Sequence, residues 1–371
     1  MESKKHILIS AFFVTAVLFV CVFSSISKPY SLGSYFSNKI INSQLLAPKK
    51  DPLGNVLYKG TIYHIFFHSL IVYPELAFNG NKNQGLYENY MITRDEFNKI
   101  LPELYKNNFV LIDINSIYKI NKDGTVVRKP IYIPKGKKPL IISIDDLSYY
   151  RGMQGHGFAN KLVLDENGNV ATEVITPKGE TVVTHDGDVV PILDAFVADH
   201  PDFSMGGAKG TIALTGYEGV LGYRTEATTS KSYLQDIQSA KNIIDKLKST
   251  GWSFASHSYS HDQSFINKTI SLENLKKDSE RWDREVKPLV GDTNIFIGPF
   301  GQVFSQGDPR RAYLVSKGFK VLCGVGVNPY LRYFSDYVAM DRADIDGYRF
   351  SHTANLLKTY FDPKVTVDSR K

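Results

Sequence analysis

Short apolar segments alternate with amphipathic helical patterns along most of the sequence, and this alternation constrains the possible folds more than any other feature. The apolar segments lie at residues 61–67, 109–112, 140–144, 210–214, 252–255, 295–297 and 319–322. Helical patterns separate several of them, and in residues 232–248 apolar residues recur every three or four positions. Alternating strands and helices predict a parallel sheet or a barrel, in which functional residues lie at the C-terminal ends of the strands.

Residues 160–190 have a different pattern, in which alternating Val and Thr residues stand between turns rich in Asp, Asn and Gly. This pattern predicts β-hairpins inserted into the larger fold. We therefore expect a short N-terminal segment (1–28), a polar linker (29–58) and one domain (59–371) with an insertion around residues 150–225.

An uncharged stretch at residues 7–26 follows Lys4 and Lys5. About 20 apolar residues are enough to cross the hydrocarbon layer of a membrane, and the preceding lysines favour a cytoplasmic N-terminus. The stretch therefore predicts a transmembrane helix and a single-pass protein of the cell membrane, with its domain outside the cell. A cleaved signal peptide and a secreted protein are the alternative, since Ser25 and Ser27 have the spacing of a cleavage site.

Charge and cysteine content exclude several classes of protein. The formal net charge is +6, with Lys and Arg spread along the chain rather than in a stripe, so a nucleic-acid partner is not expected. Attraction to an anionic cell envelope stays open. Only Cys323 lies outside the N-terminal apolar stretch, which excludes a disulfide within the domain. The sequence contains neither a G-x-S-x-G motif nor a P-loop.

Two adjacent acids, Asp145 and Asp146, come directly after the strand predicted at 140–144. Paired carboxylates repel each other unless a cation or a proton-transfer role compensates. An ordinary helix cap is the alternative interpretation of the pair.

Two histidines, His257 and His261, follow the strand predicted at 252–255. Their spacing of four would place them on one face of a helical turn, where they could share a divalent ion. Together with one acid they form a mixed oxygen and nitrogen ligand set that suits zinc or a related first-row metal. The second acid would then be available as a general base.

These clusters resemble the motifs of the polysaccharide deacetylases of the NodB-homology group. The family motifs T-F-D-D-G, H-[ST]-x-x-H and R-x-P-[FY]-G correspond here to Ser143-Ile144-Asp145-Asp146-Leu147, His257-Ser258-Tyr259-Ser260-His261 and Ile297-Gly298-Pro299-Phe300-Gly301. The resemblance covers residues 61–350. It implies a distorted (β/α) barrel with the hairpins inserted, and removal of N-acetyl groups from an amino-sugar polysaccharide such as peptidoglycan or an exopolysaccharide.

The resemblance also implies a role for each matching residue. Asp146, His257 and His261 would bind a divalent metal, zinc in the first instance. Asp145 would take a proton from the attacking water. The backbone N–H of Phe300 would help to hold the oxyanion, a role that fits the chemistry of amide hydrolysis.

The third motif departs from the family pattern, because Ile297 stands where the family has the arginine that positions the base. Arg342 follows a later strand and could restore this charge, with Asp341 or Asp344 orienting it. An ordinary surface ion pair is the alternative for Arg342.

The general acid of the family is a histidine in a C-terminal L-x-H motif, and His352 is the only histidine near the C-terminus, without that motif. His68, however, ends the apolar strand at 61–67. In a closed barrel the first and last strands are neighbours. Residues 63–70 resemble the opening segment of a group of exopolysaccharide deacetylases that is circularly permuted in this way. His68 is therefore predicted to protonate the departing amine. His64 is expected to lie deeper on the same side of the strand.

Two other functions stay open. A sugar-binding pseudoenzyme could have kept the pocket and lost turnover through Ile297, and another metal-dependent amidase could act on a peptide or small amide. The glycine-rich residues 205–225 contain Tyr217 and Tyr223, which suit either sugar stacking or loop packing.

Overall fold

Seven parallel strands close into a barrel in the computed structural model, which describes residues 49–367. Including these seven, the described residues form the strands β1 (Val56–Tyr58), β2 (Tyr63–Phe67), β3 (Phe109–Leu111), β4 (Tyr118–Ile120), β5 (Val126–Arg128), β6 (Ile131–Ile133), β7 (Lys138–Asp145), β8 (Ala159–Leu164), β9 (Val170–Ile175), β10 (Thr181–Thr184), β11 (Thr211–Leu214), β12 (Ser253–Ser256), β13 (Ile295–Ile297), β14 (Val321–Val325), β15 (Leu331–Tyr333) and β16 (Val338–Asp344). The predicted barrel is present.

Around the ring the barrel strands follow chain order, as β2, β7, β11, β12, β13, β14 and β16. The ring closes where β16 pairs with β2, with Ala343 opposite Ile65. β3 pairs with the start of β7 beside the ring, and β15 pairs antiparallel with β16. Because all seven barrel strands are parallel, their C-terminal ends meet at one edge of the barrel.

Helices cover the outside of the barrel. They are α1 (Pro74–Ala77), α2 (Gln84–Tyr90), α3 (Arg94–Lys106), α4 (Val189–Asp199), α5 (Tyr233–Ser249), α6 (Leu272–Glu285), α7 (Lys287–Val290), α8 (Pro309–Ser316), α9 (Gly347–Thr353) and α10 (Pro363–Thr366). The predicted capping box begins α3: Thr93 Oγ1 accepts a hydrogen bond from the Glu96 N–H at 3.1 Å, and the Glu96 carboxylate accepts one from the Thr93 N–H at 2.8 Å. Caps of this kind stabilise a helix by about 1 kcal/mol.

The predicted hairpin insertion is a three-stranded antiparallel sheet of β8, β9 and β10. Its inner face joins the main core through Leu162, Val170 and Val174. Residues 56–58, at the end of the predicted linker, form β1 and pair with β6.

The prediction of a transmembrane helix is wrong, and so is the single-pass membrane location that followed from it. Within residues 49–367, no helix has both the length and the apolar character that a membrane crossing requires. The physical reason is length and polarity. The longest described helix, α5, has 17 residues and includes charged ones, whereas a membrane span needs about 20 apolar residues. The stretch at 7–26 lies outside the described residues.

Candidate metal and catalytic site

Asp145, the last residue of β7, forms a buried ion pair with Arg342 of β16. The Arg342 guanidinium donates to Asp145 Oδ1 at 2.7 Å and to Oδ2 at 2.9 Å. Both side chains are almost fully buried. Burial by itself raises the pKa of Asp145, but the positive charge of Arg342 and the hydrogen bonds that it donates outweigh burial and lower the pKa to about 2. Asp145 is therefore ionised.

Arg342 is held by further contacts around its guanidinium. It donates to Ser143 Oγ at 3.1 Å and to the carbonyl of Gly324 at 3.3 Å, and it lies 4.1 Å from the centre of the Phe66 ring. Asp344, one of its two expected partners, instead pairs with Arg349. The structure thus places Arg342 against Asp145, while its part in catalysis stays a prediction.

Asp146, His257 and His261 lie together and could hold a metal ion. One ligand atom from each residue lies within 4.8 Å of the others, and His261 Nε2 is 3.6 Å from Asp146 Oδ2. Ligand atoms about 2.0–2.1 Å from one tetrahedral zinc ion are separated by about 3.3 Å. The donor types therefore suit zinc, and the ligand atoms would have to move closer together to bind it.

The orientation of His257 favours metal binding by its Nε2 atom. Its Nδ1 lies 2.7 Å from the carbonyl oxygen of Ile297, which can only accept a hydrogen bond, so Nδ1 carries the proton and Nε2 keeps its lone pair. Burial lowers the pKa of His257, which also favours the neutral ring. Ile297 contributes through its backbone, because its side chain is buried in the core.

The two histidines lie in a loop after β12, so the predicted helical turn is wrong. The backbone has φ of 57° at Ser258 and 47° at His261, a region that costs non-glycine residues about 1–3 kcal/mol and is concentrated at functional sites. Asp278 of α6 holds this loop by accepting hydrogen bonds from the backbone of Tyr259 at 2.8 Å and Ser260 at 2.9 Å. No motif marked Asp278 in the sequence.

His68 follows β2 at the same edge of the barrel, half-buried beside the ring of Phe66. Burial raises the pKa of Asp146, but its neighbours His261, His257 and His68 outweigh burial and lower this pKa. His64 is fully buried, with Nε2 3.0 Å from Ser143 Oγ, and burial holds its pKa well below the usual value. His352 is exposed on α9, stacked on Tyr348.

Two aromatic side chains at the site are partly exposed. Phe300 has φ of 55°, and its ring lies 4.3 Å from that of His261. Tyr217 stacks on Tyr150 with ring centres 4.9 Å apart. Phe300 is 42% exposed and Tyr217 37% exposed. Their open faces could contact a sugar ring.

Replacing His257 or His261 with Ala is expected to abolish stoichiometric zinc binding while the chain still folds, because each histidine supplies one of three ligands. Zinc content after dialysis, measured by plasma mass spectrometry, tests this. His352→Ala is the matched control and should retain zinc. A His257→Ala/His261→Ala double variant that bound zinc as tightly as the wild type would refute the assignment.

Comparisons with known proteins give structural neighbours only. The sequence matches no protein-family model, and no curated protein matches it. The chain is similar to the deacetylase PplD of Streptococcus pyogenes, solved in complex with acetate, at 13% identity over 82% of this chain and 99% of that one, with a TM-score of 0.45. It is also similar to IcaB from Ammonifex degensii, at 14% identity over 81% of this chain and 98% of that one, with a TM-score of 0.42. At this level of similarity the function has to be inferred from the site geometry.

Proposed function

We propose that the protein is a zinc-dependent deacetylase that hydrolyses the N-acetyl groups of an amino-sugar polysaccharide, either peptidoglycan or an exopolysaccharide. The observation that carries this proposal is that Asp146, His257 and His261, which could hold a metal ion, adjoin a buried, ionised carboxylate. Asp145 Oδ2 lies 3.9 Å from His257 Nε2, so a base and a metal ligand face the same space. The motif resemblance and the exposed aromatic faces support a sugar substrate.

Asp146, His257 and His261 would hold the ion. Three protein ligands leave at least one coordination position open, and zinc bound in this way supplies Lewis acidity towards water and the amide carbonyl. The mixed carboxylate and imidazole set suits zinc better than calcium or magnesium, which prefer oxygen ligands.

Asp145 would take the proton from the water that attacks the acetyl carbon. Arg342 would hold both carboxylate oxygens in place, as the motif arginine positions the base in the resembling family. Its charge would also keep Asp145 ionised. This contact counts against a pseudoenzyme, because the positive charge missing at Ile297 is present at the base from another strand.

His68 and Phe300 would complete the reaction. The backbone N–H of Phe300 would donate to the oxyanion of the tetrahedral intermediate. As the C–N bond breaks, His68 would give a proton to the departing nitrogen, which leaves a free amine on the sugar and releases acetate.

His68→Ala is expected to keep its zinc and to lose about 10²–10⁴-fold in turnover, the usual contribution of a general acid. His352→Ala, an exposed histidine, is the matched control and should be unaffected. Acetate release and zinc content are measured on both. Near-normal turnover in His68→Ala together with loss in His352→Ala would reverse the assignment of the acid.

The proposed activity is tested by incubating the zinc-loaded protein with an N-acetylated chitooligosaccharide and with peptidoglycan fragments. Mass spectrometry should show the loss of whole acetyl groups, and Asp145→Asn should abolish it. Glycan binding without acetate release would indicate the pseudoenzyme. Release of acyl groups from peptides or small amides, with glycans left intact, would indicate another amidase.

A further inference from the structure

The two carboxylate oxygens of Asp146 have different surroundings. Oδ1 accepts a hydrogen bond of 2.5 Å from the hydroxyl of Tyr150, whereas Oδ2 faces His261 Nε2 at 3.6 Å. A bond this short to an ionised acceptor belongs to the strong, charge-assisted class. One oxygen is therefore engaged by the protein, and the other faces the remaining metal ligands.

Tyr150 is itself fixed from two sides. Its hydroxyl lies 2.8 Å from Thr215 Oγ1, which lies 3.1 Å from Ser148 Oγ, and its ring stacks on Tyr217. Because the single phenolic hydrogen goes to Asp146, Thr215 must donate to Tyr150, and Ser148 in turn donates to Thr215. Three hydroxyl groups thus point in one direction towards the carboxylate, an arrangement in which each bond strengthens the next.

The backbone of Asp146 is constrained as well. Its φ is 59°, a conformation that few non-glycine residues adopt. The side chain of Asp146 therefore starts from a fixed position, and the phenol of Tyr150 holds its Oδ1 atom.

We infer that Tyr150 is a positioning residue that holds Asp146 so that it binds the metal through Oδ2 alone. This inference rests on the proposed metal site. With Oδ1 engaged by the phenol, the carboxylate occupies one coordination position rather than two, which leaves space for water and the substrate carbonyl. Tyr150 lies outside the three motifs and is not a ligand; it acts through Asp146.

Tyr150→Phe tests the inference, because it removes the hydroxyl and keeps the ring that stacks on Tyr217. Loss of a hydrogen-bonding partner of a metal ligand lowers metal affinity by about 10–100-fold. Zn²⁺ affinity of the full chain is measured by competition with a chromophoric chelator, without substrate. The matched control is Tyr87→Phe: the Tyr87 hydroxyl donates to the carbonyl of Gly152 at 2.7 Å, so the control loses a hydrogen bond to the same loop without touching Asp146.

We expect weaker zinc binding in Tyr150→Phe, wild-type affinity in Tyr87→Phe, and a changed visible absorption spectrum in Co²⁺-substituted Tyr150→Phe alone. Should Tyr150→Phe fail to fold, Thr215→Val removes the donor behind the phenol and should weaken zinc binding about 2–10-fold. If the wild type, Tyr150→Phe and Thr215→Val all bound zinc equally tightly, the inference about Tyr150 would be overturned while the proposed function would stand. A wild-type chain that binds no zinc would overturn the proposed function as well.

Discussion

Asp145→Asn is expected to bind zinc as the wild type does and to lose about 10²–10⁴-fold in turnover, because the amide cannot take a proton from the attacking water. Asp146→Asn is expected to lose zinc itself, because Oδ2 of Asp146 faces the two histidines. The two variants serve as controls for each other, since the residues are adjacent and each change removes one negative charge. Zinc stoichiometry and acetate release are measured on the same preparations. Equal loss of zinc in the two variants would remove the distinction between base and ligand.

Arg342→Met is expected to lower the free energy of unfolding by about 3–5 kcal/mol, the usual cost of leaving one member of a buried ion pair without its partner. Asp145 is only 3% exposed, so water cannot replace the two hydrogen bonds that the guanidinium donates. Urea denaturation followed by circular dichroism measures the change. Lys277→Met, which breaks an exposed pair with Glu273, is the control and should leave the midpoint unchanged.

The double variant Arg342→Met/Asp145→Leu separates stability from function. It removes both charges, so most of the lost stability should return, whereas deacetylation should not. If Arg342→Met alone were as stable as the wild type, the Arg342–Asp145 pair would not be the buried contact described here.

The sequence predicted the barrel because its strands and helices have different periodicities, and these are local properties. The run at 140–144 became the centre of β7, and the turn-rich residues 160–190 became an antiparallel sheet. The helical turn at His257 and His261 was wrong because a spacing of four fits a loop as well as a helix. There, Asp278 and a positive φ at two residues fix the conformation.

The candidate site was only partly predictable. The motifs marked Asp145, Asp146, His257 and His261, and the chain brings them together. That Arg342 reaches Asp145 depends on the place of β16 in the ring, which no local pattern specifies. Tyr150 was missed because it has no motif; its only signal was its position four residues after Asp146. The contacts between these residues are observed, whereas their roles as metal ligands, base and acid are predictions that the variants test.

The pairing of β2 with β16 sets the order in which the site can be assembled during synthesis. His68 emerges from the ribosome with the first barrel strand, whereas Arg342 is made only with the last. Until β16 is synthesised, β2 and β14 each have an unpaired edge. Unpaired strand edges favour association with other chains. Asp145 likewise remains without its buried counter-charge. We therefore expect a chain truncated before β16 to lack the proposed activity and to associate through its open strand edges.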